Sequence, residues 1–97
     1  MIELDCLEQV EGDKKDHDLV LFALSTCPHC RSARTFLDDN GVAYRYVYLD
    51  KLEGDEQKDV LSVAGKYNPR KSFPTLVIDD DEVLIGFTEP DWRTKLL

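Results

Sequence analysis

Apolar positions along this chain switch between a continuous run, a helical spacing and an alternation, and each switch predicts an element. Residues 19–24, LVLFAL, are continuously apolar. Such a run suits a strand covered on both faces, as in a parallel sheet. From Pro28 onward, Cys30, Ala33 and Leu37 fall at i, i+3 and i+7, with Phe36 alongside, which makes one apolar helix face. Proline fits the first turn of that helix, where a missing N–H has no partner to lose. Asn40–Gly41 ends it, with Gly41 available for a left-handed cap. VAYRYVYLD, residues 42–50, alternates and is rich in β-branched and aromatic side chains, so it reads as a strand. Strand, helix and strand at this spacing form a βαβ unit with a right-handed crossover.

A second helix is predicted over about residues 55–67, with Val60, Ala64 and Tyr67 on its inner face and Asn68–Pro69 as its stop. PTLVIDDDEVLIGF, residues 74–87, is two apolar runs around an acidic turn, which predicts an antiparallel hairpin. EPDWRTKLL closes the chain as a short helix. Residues 1–17 are polar: IELDCLEQV alternates loosely enough for a short edge strand, and EGDKKDHD is a loop. The predicted class is α/β in the order β-α-β-α-β-β-α. Its four-stranded mixed sheet, flanked by helices, has Leu19–Leu24 at the centre and room for an extra N-terminal edge strand.

Composition narrows the classes. The 97 residues are one domain's worth, 1–97, with 1–17 as its N-terminal extension or edge strand. At 42% hydrophobic and 33% charged, the chain has an ordinary globular composition. A net charge of −8 argues against a nucleic-acid partner. Because the acids are spread along the chain, they read as a solvated surface. No apolar run is long enough to span a bilayer, and acids interrupt the N-terminus where an export signal needs an apolar stretch. The expectation is a cytoplasmic monomer with neither a membrane nor a nucleic-acid partner. An odd count of 3 cysteines, without such a signal, is unlike a secreted disulfide scaffold.

That turns attention to ALSTCPHCRS, residues 23–32. Cys27 falls at the end of the central strand and the start of a helix, the usual place for an active site in an open α/β sheet. A helix N-terminus offers unpaired N–H groups and partial positive charge, so a thiolate there is favoured. Arg31, Arg34 and His29 add charge or donors if they point toward the sulfur; otherwise they are solvated surface residues. The helix is charged against its own dipole, with arginines in its first half and Asp38 and Asp39 near its end. Cys30 lies one turn on, within reach of Cys27 but more buried. Cys27 is therefore the expected nucleophile and Cys30 the group that resolves the mixed disulfide by exchange. The rival is metal. A zinc site would need Cys6, His17 and His29 to join the pair from irregular positions, so no metal ligand is predicted. Cys6 reads as a small half-buried side chain.

STCPHC after a buried strand, SFPT before a hairpin and GFTE after it together resemble the glutaredoxins of the thioredoxin-like superfamily, over about residues 18–97. The resemblance implies a thioredoxin-like fold and a dithiol oxidoreductase acting on protein disulfides or glutathione mixed disulfides. It implies a cis Phe73–Pro74 bond in a turn that presents backbone to an extended thiol substrate, with Pro28, His29, Phe73 and Pro74 as substrate contacts. It assigns Thr88, Glu89 and Lys71, with Arg70 as substitute, to glutathione or partner contacts. Ile85 stands where the family has the first glycine of a Gly-Gly pair, Gly86 keeps the second, and Glu89 replaces an aspartate. Leu24 stands where many members carry a lysine. The reductant is left open between glutathione, as co-substrate, and thioredoxin reductase, with no permanently bound cofactor. The ending also resembles small redoxins that serve ribonucleotide reductase, and an iron–sulfur or metal carrier is the other alternative. A histidine between the cysteines, as in periplasmic disulfide oxidases, points to a more oxidising pair than a thioredoxin's.

Overall fold

The computed structural model describes residues 2–97; Met1, the first residue of the expected 1–97 domain, lies outside the described residues. The strands are β1 (Glu8–Val10), β2 (Leu19–Ala23), β3 (Tyr44–Tyr48), β4 (Thr75–Ile78) and β5 (Glu82–Ile85). The helices are α1 (Pro28–Asp39), α2 (Gly54–Tyr67) and α3 (Glu89–Leu96). One sheet takes all the strands in the order β1-β3-β2-β4-β5. β2 runs parallel to β3, with Leu21 opposite Tyr46, and antiparallel to β4, with Leu21 opposite Leu76. The N-terminal edge strand exists, but only over Glu8–Val10, antiparallel to β3.

β2 explains its own composition. Leu19, Leu21 and Ala23 point to one side, into a core built with Ala33, Phe36 and Leu37 of α1 and Trp92 and Leu96 of α3. Val20 and Phe22 point to the other side, against Val60 and Ala64 of α2. Helices cover both faces, so no position on this strand tolerates a polar residue. Trp92, 1% exposed, meets Phe87 and Phe36 edge-on and donates its indole N–H to the Gly86 carbonyl at 3.0 Å.

The predicted strand over 42–50 is shorter than expected. Regular pairing ends at Tyr48, and Leu49–Lys51 curl into a single 3-10 turn. The turn buries Leu49 and brings the Asp50 carboxylate onto Ser25, where it accepts from the backbone N–H at 2.9 Å and from the hydroxyl. Those gains outweigh two more rungs of ladder. α2 begins slightly earlier than predicted, at Gly54. The acidic hairpin turn places Asp79 and Asp80 at φ of +53° and +60°, a left-handed pair that usually selects Asn or Gly. Here the side chains hold it: Asp79 accepts from the Asp18 N–H at 2.7 Å and from the His17 ring at 2.8 Å, and Asp80 accepts from the Ile2 N–H at 3.1 Å.

Candidate active site

Strand β2 delivers the chain to the carboxyl end of the sheet, and Cys27 caps α1 there. Its backbone is extended, at φ −91° and ψ 119°, and its sulfur accepts from the Cys30 N–H at 3.4 Å. Pro28 opens the helix without sacrificing a donor. Cys27 is half-buried and Cys30 fully buried; both are free thiols. The Cys30 sulfur in turn accepts from the Leu24 N–H at 3.5 Å.

The two thiols are pushed in opposite directions. Burial raises the Cys27 thiol. A hydrogen bond from the Cys30 thiol, the N–H groups of Cys30 and His29 and the Arg31 charge more than reverse this, so its pKa lies below the ordinary value. Burial lifts Cys30 to about 12. The Leu24 N–H opposes this, while donation to Cys27, the Cys27 charge and Asp50 add to it. One sulfur is thus eased toward the thiolate in reach of solvent, and the other is held protonated beneath it.

The remaining predicted residues divide. Arg31 acts on Cys27 as anticipated. Arg34 does not face the sulfur. Its guanidinium donates to the Tyr44 and Tyr48 hydroxyls at 2.9 Å each and lies 3.9 Å above the Tyr46 ring. The Tyr44 hydroxyl donates a hydrogen bond to the Asp38 carboxylate at 2.9 Å, which gives one of the misplaced helix acids a partner. His29 is exposed and serves Cys27 through its backbone N–H. Phe73–Pro74 is cis. Phe73 touches both cores, and the Pro74 carbonyl accepts from the Gly86 N–H at 2.8 Å, which ties this loop to the end of β5.

Thr88 caps α3 by position, without a side-chain hydrogen bond. Glu89 is bound to Arg93 at 2.9 Å. Lys71, at φ +54°, lays its side chain along α2 beside Gly65, and Arg70 donates its N–H to Asn68. Cys6 and His17 are not brought to the pair. Cys6 packs on the α2 side, its thiol pushed up by burial and Glu56, and His17 bonds Asp79. Among the described residues, no three His, Cys, Asp or Glu side chains gather as a metal site. No helix among them is long and apolar enough to cross a membrane.

Sequence reasoning missed two supports. Asn68, 1% exposed, donates its amide to the Ser72 carbonyl, the Ser72 hydroxyl and Thr75 Oγ1 at 3.0, 3.1 and 3.0 Å, and so sets the loop that carries Phe73–Pro74. Asn68–Pro69 signalled only a helix stop. The Ser25–Asp50 link fixes the approach to Cys27, and nothing in the sequence paired those two positions.

A glutaredoxin family model matches residues 19–83. The crystal structure of a glutaredoxin from Methanosarcina mazei is 36% identical and superposes with a TM-score of 0.83, covering 95% of this chain and 88% of that one. A methanoredoxin from Methanosarcina acetivorans is 34% identical with a TM-score of 0.81, covering 84% and 86%. Glutaredoxin 1 of Rickettsia conorii is 27% identical over 67 residues, 69% of this chain; the match spans 63% of that curated relative's length.

Proposed function

Because this chain belongs to the glutaredoxin family, we propose that it is a dithiol thiol–disulfide oxidoreductase that reduces disulfides of proteins or glutathione mixed disulfides. The observation that carries the reading is the opposed pair: a lowered, accessible Cys27 hydrogen-bonded to a raised, buried Cys30. Cys27 attacks a substrate sulfur, forms a mixed disulfide and releases the other substrate sulfur as a thiolate. Capture removes both the charge and the hydrogen bond with which Cys27 holds Cys30 protonated. Cys30 then loses its proton more readily, attacks Cys27 Sγ and releases the second substrate thiolate. The product is a Cys27–Cys30 disulfide, and two electrons have passed to substrate.

Recharging needs an external thiol. Glutathione and thioredoxin reductase are the two candidates, and no bound cofactor takes part. The setting that suits free thiols is a reducing, cytoplasmic one, with the chain acting as a monomeric single domain. The test is reduction of a protein disulfide by the wild type, Cys27→Ser and Cys30→Ser, with each reductant in turn. Cys27→Ser is expected to lose turnover. Cys30→Ser is expected to accumulate a mixed disulfide detectable by non-reducing mass spectrometry. A Cys27→Ser protein that still turns over at the wild-type rate contradicts the reading.

A further inference from the structure

Beside the thiols, a cleft of about 690 Å³ runs between α1 and α3. Pro28, between the two cysteines, lines it, as do Phe36 and Phe87, an aromatic pair 5.7 Å apart. Two cations line it as well. Arg93 is held in place, its guanidinium 5.4 Å from the Phe36 ring centre and bonded to Glu89 at 2.9 Å. Arg31, next to Cys30 in sequence, is exposed and has no carboxylate partner among the described residues. Asp39 lines the cleft too, two turns further along α1. The cleft is therefore polarised on a chain whose net charge is −8. Glu89 also lines it and neutralises Arg93, which leaves Arg31 toward the Cys27 end and Asp39 at the far end.

Resting on the oxidoreductase reading, we propose that this cleft docks the polypeptide carrying the substrate disulfide. It selects a chain with an acidic residue next to the reactive cysteine and a basic residue about four positions beyond. The spacing follows from the helix: the eight steps from Arg31 to Asp39 rise about 12 Å, and an extended chain covers that in about four residues. The acidic side chain meets Arg31, the basic one meets Asp39, and the residues between pass over Phe87 and the Arg93 side chain that covers Phe36. Charge complementarity in this order also aligns the peptide for attack by Cys27. The exchange is the one above: the Cys27 thiolate takes the peptide sulfur, the partner thiol leaves, and Cys30 frees the reduced peptide. The electrons come from the Cys27–Cys30 dithiol.

Two peptides test this. Each carries one cysteine joined by a disulfide to 2-mercaptoethanol, one aspartate and one lysine. In the first the aspartate adjoins the cysteine and the lysine lies four residues on; in the second the two are exchanged. Composition and net charge are identical, so the overall field of the protein cancels. The wild type is expected to reduce the first about three- to tenfold more efficiently in kcat/KM at low ionic strength, as a few exposed ion pairs allow. The preference should shrink in high salt and collapse toward unity in Arg31→Gln and in Asp39→Asn. Equal rates, or preference for the exchanged peptide, overturn the docking proposal while leaving the oxidoreductase reading intact. Failure to reduce either peptide overturns that reading, and the proposal with it.

Discussion

Arg34 shows how a side chain that looks ready for catalysis can be committed to structure instead. The sequence places it one turn beyond Cys30, facing either the thiolate or water. In the fold it closes over β3, bonded to Tyr44 and Tyr48 and stacked on Tyr46, while Tyr46 is itself bonded to Glu8 of β1. Its hydrogen bonds and Coulombic attraction to the two phenols hold its proton more tightly than usual, against the penalty of burial. The alternation Tyr44, Tyr46, Tyr48 did announce one aromatic face. What it could not announce was which helical residue would lie on that face, because this depends on the crossing of α1 over β3. Arg34→Leu leaves Tyr44, 2% exposed, with Asp38 alone. Two charge-assisted hydrogen bonds and a stacked cation disappear, and the expected loss is about 2–3 kcal/mol of unfolding free energy in urea. A change within a few tenths of a kcal/mol, roughly the scale of a surface substitution, shows the cage to be incidental.

At the scale of elements, those with strong periodicity were legible and those defined by tertiary pairing were not. The continuous LVLFAL run predicted a doubly covered strand, and both cores meet on it. The 3.6-residue stripe of α1 and the two runs of the hairpin were equally plain. β1 was marked only loosely: IELDCLEQV suggested a short edge strand, but its side chains are mostly exposed, and its bounds are fixed by the free edge of β3. The turn after β3 was missed because Leu49 and Asp50 extend the strand pattern locally, whereas Ser25 and the core draw them away. The loop from Asn68 to Pro74 also escaped, since its organising residue works through one buried amide. Asn68→Ala removes the amide's bonds to Ser72 and Thr75, leaves the loop with the Thr75 hydroxyl's bond to the Ser72 carbonyl at 2.7 Å, and is expected to lower stability by about 2 kcal/mol. It should also slow disulfide exchange, because the loop presenting Phe73–Pro74 loosens. Unchanged exchange at reduced stability would separate that loop from substrate handling.

For the whole molecule, the sheet order places the end of β2, the start of α1 and the loop before β4 at one end. Most of the candidate site was therefore readable from the CPHC and FPT segments once a doubly covered β2 was assumed. Of the residues that the resemblance assigns to glutathione or partner contacts, Glu89 is bound to Arg93 and Lys71 lies along α2 beside Gly65, neither of which the sequence announced. Exposed carboxylates tie distant segments together. Asp50 lies below the usual range through the Ser25 hydroxyl and N–H, and Asp79 through the His17 ring and the Asp18 N–H. A carboxyl lowered in the folded state contributes stability above its unfolded pKa of about 3.9, and the contribution fades as pH falls through the folded value. Thermal unfolding should therefore fall off on the acid side, and less steeply in Asp50→Asn and Asp79→Asn. Parallel acid limbs in all three proteins would contradict this.

The fold's central act is to push two like thiols apart, Cys27 toward the thiolate and Cys30 away from it. Titration of Cys27 by alkylation rate against pH, in the wild type and in Cys30→Ala, tests this most directly. The wild-type midpoint is predicted below the ordinary thiol value of about 8.5. It should move upward when the Cys30 thiol, the strongest of the groups lowering Cys27, is removed. A wild-type midpoint at or above the ordinary value, unmoved by Cys30→Ala, would contradict the account.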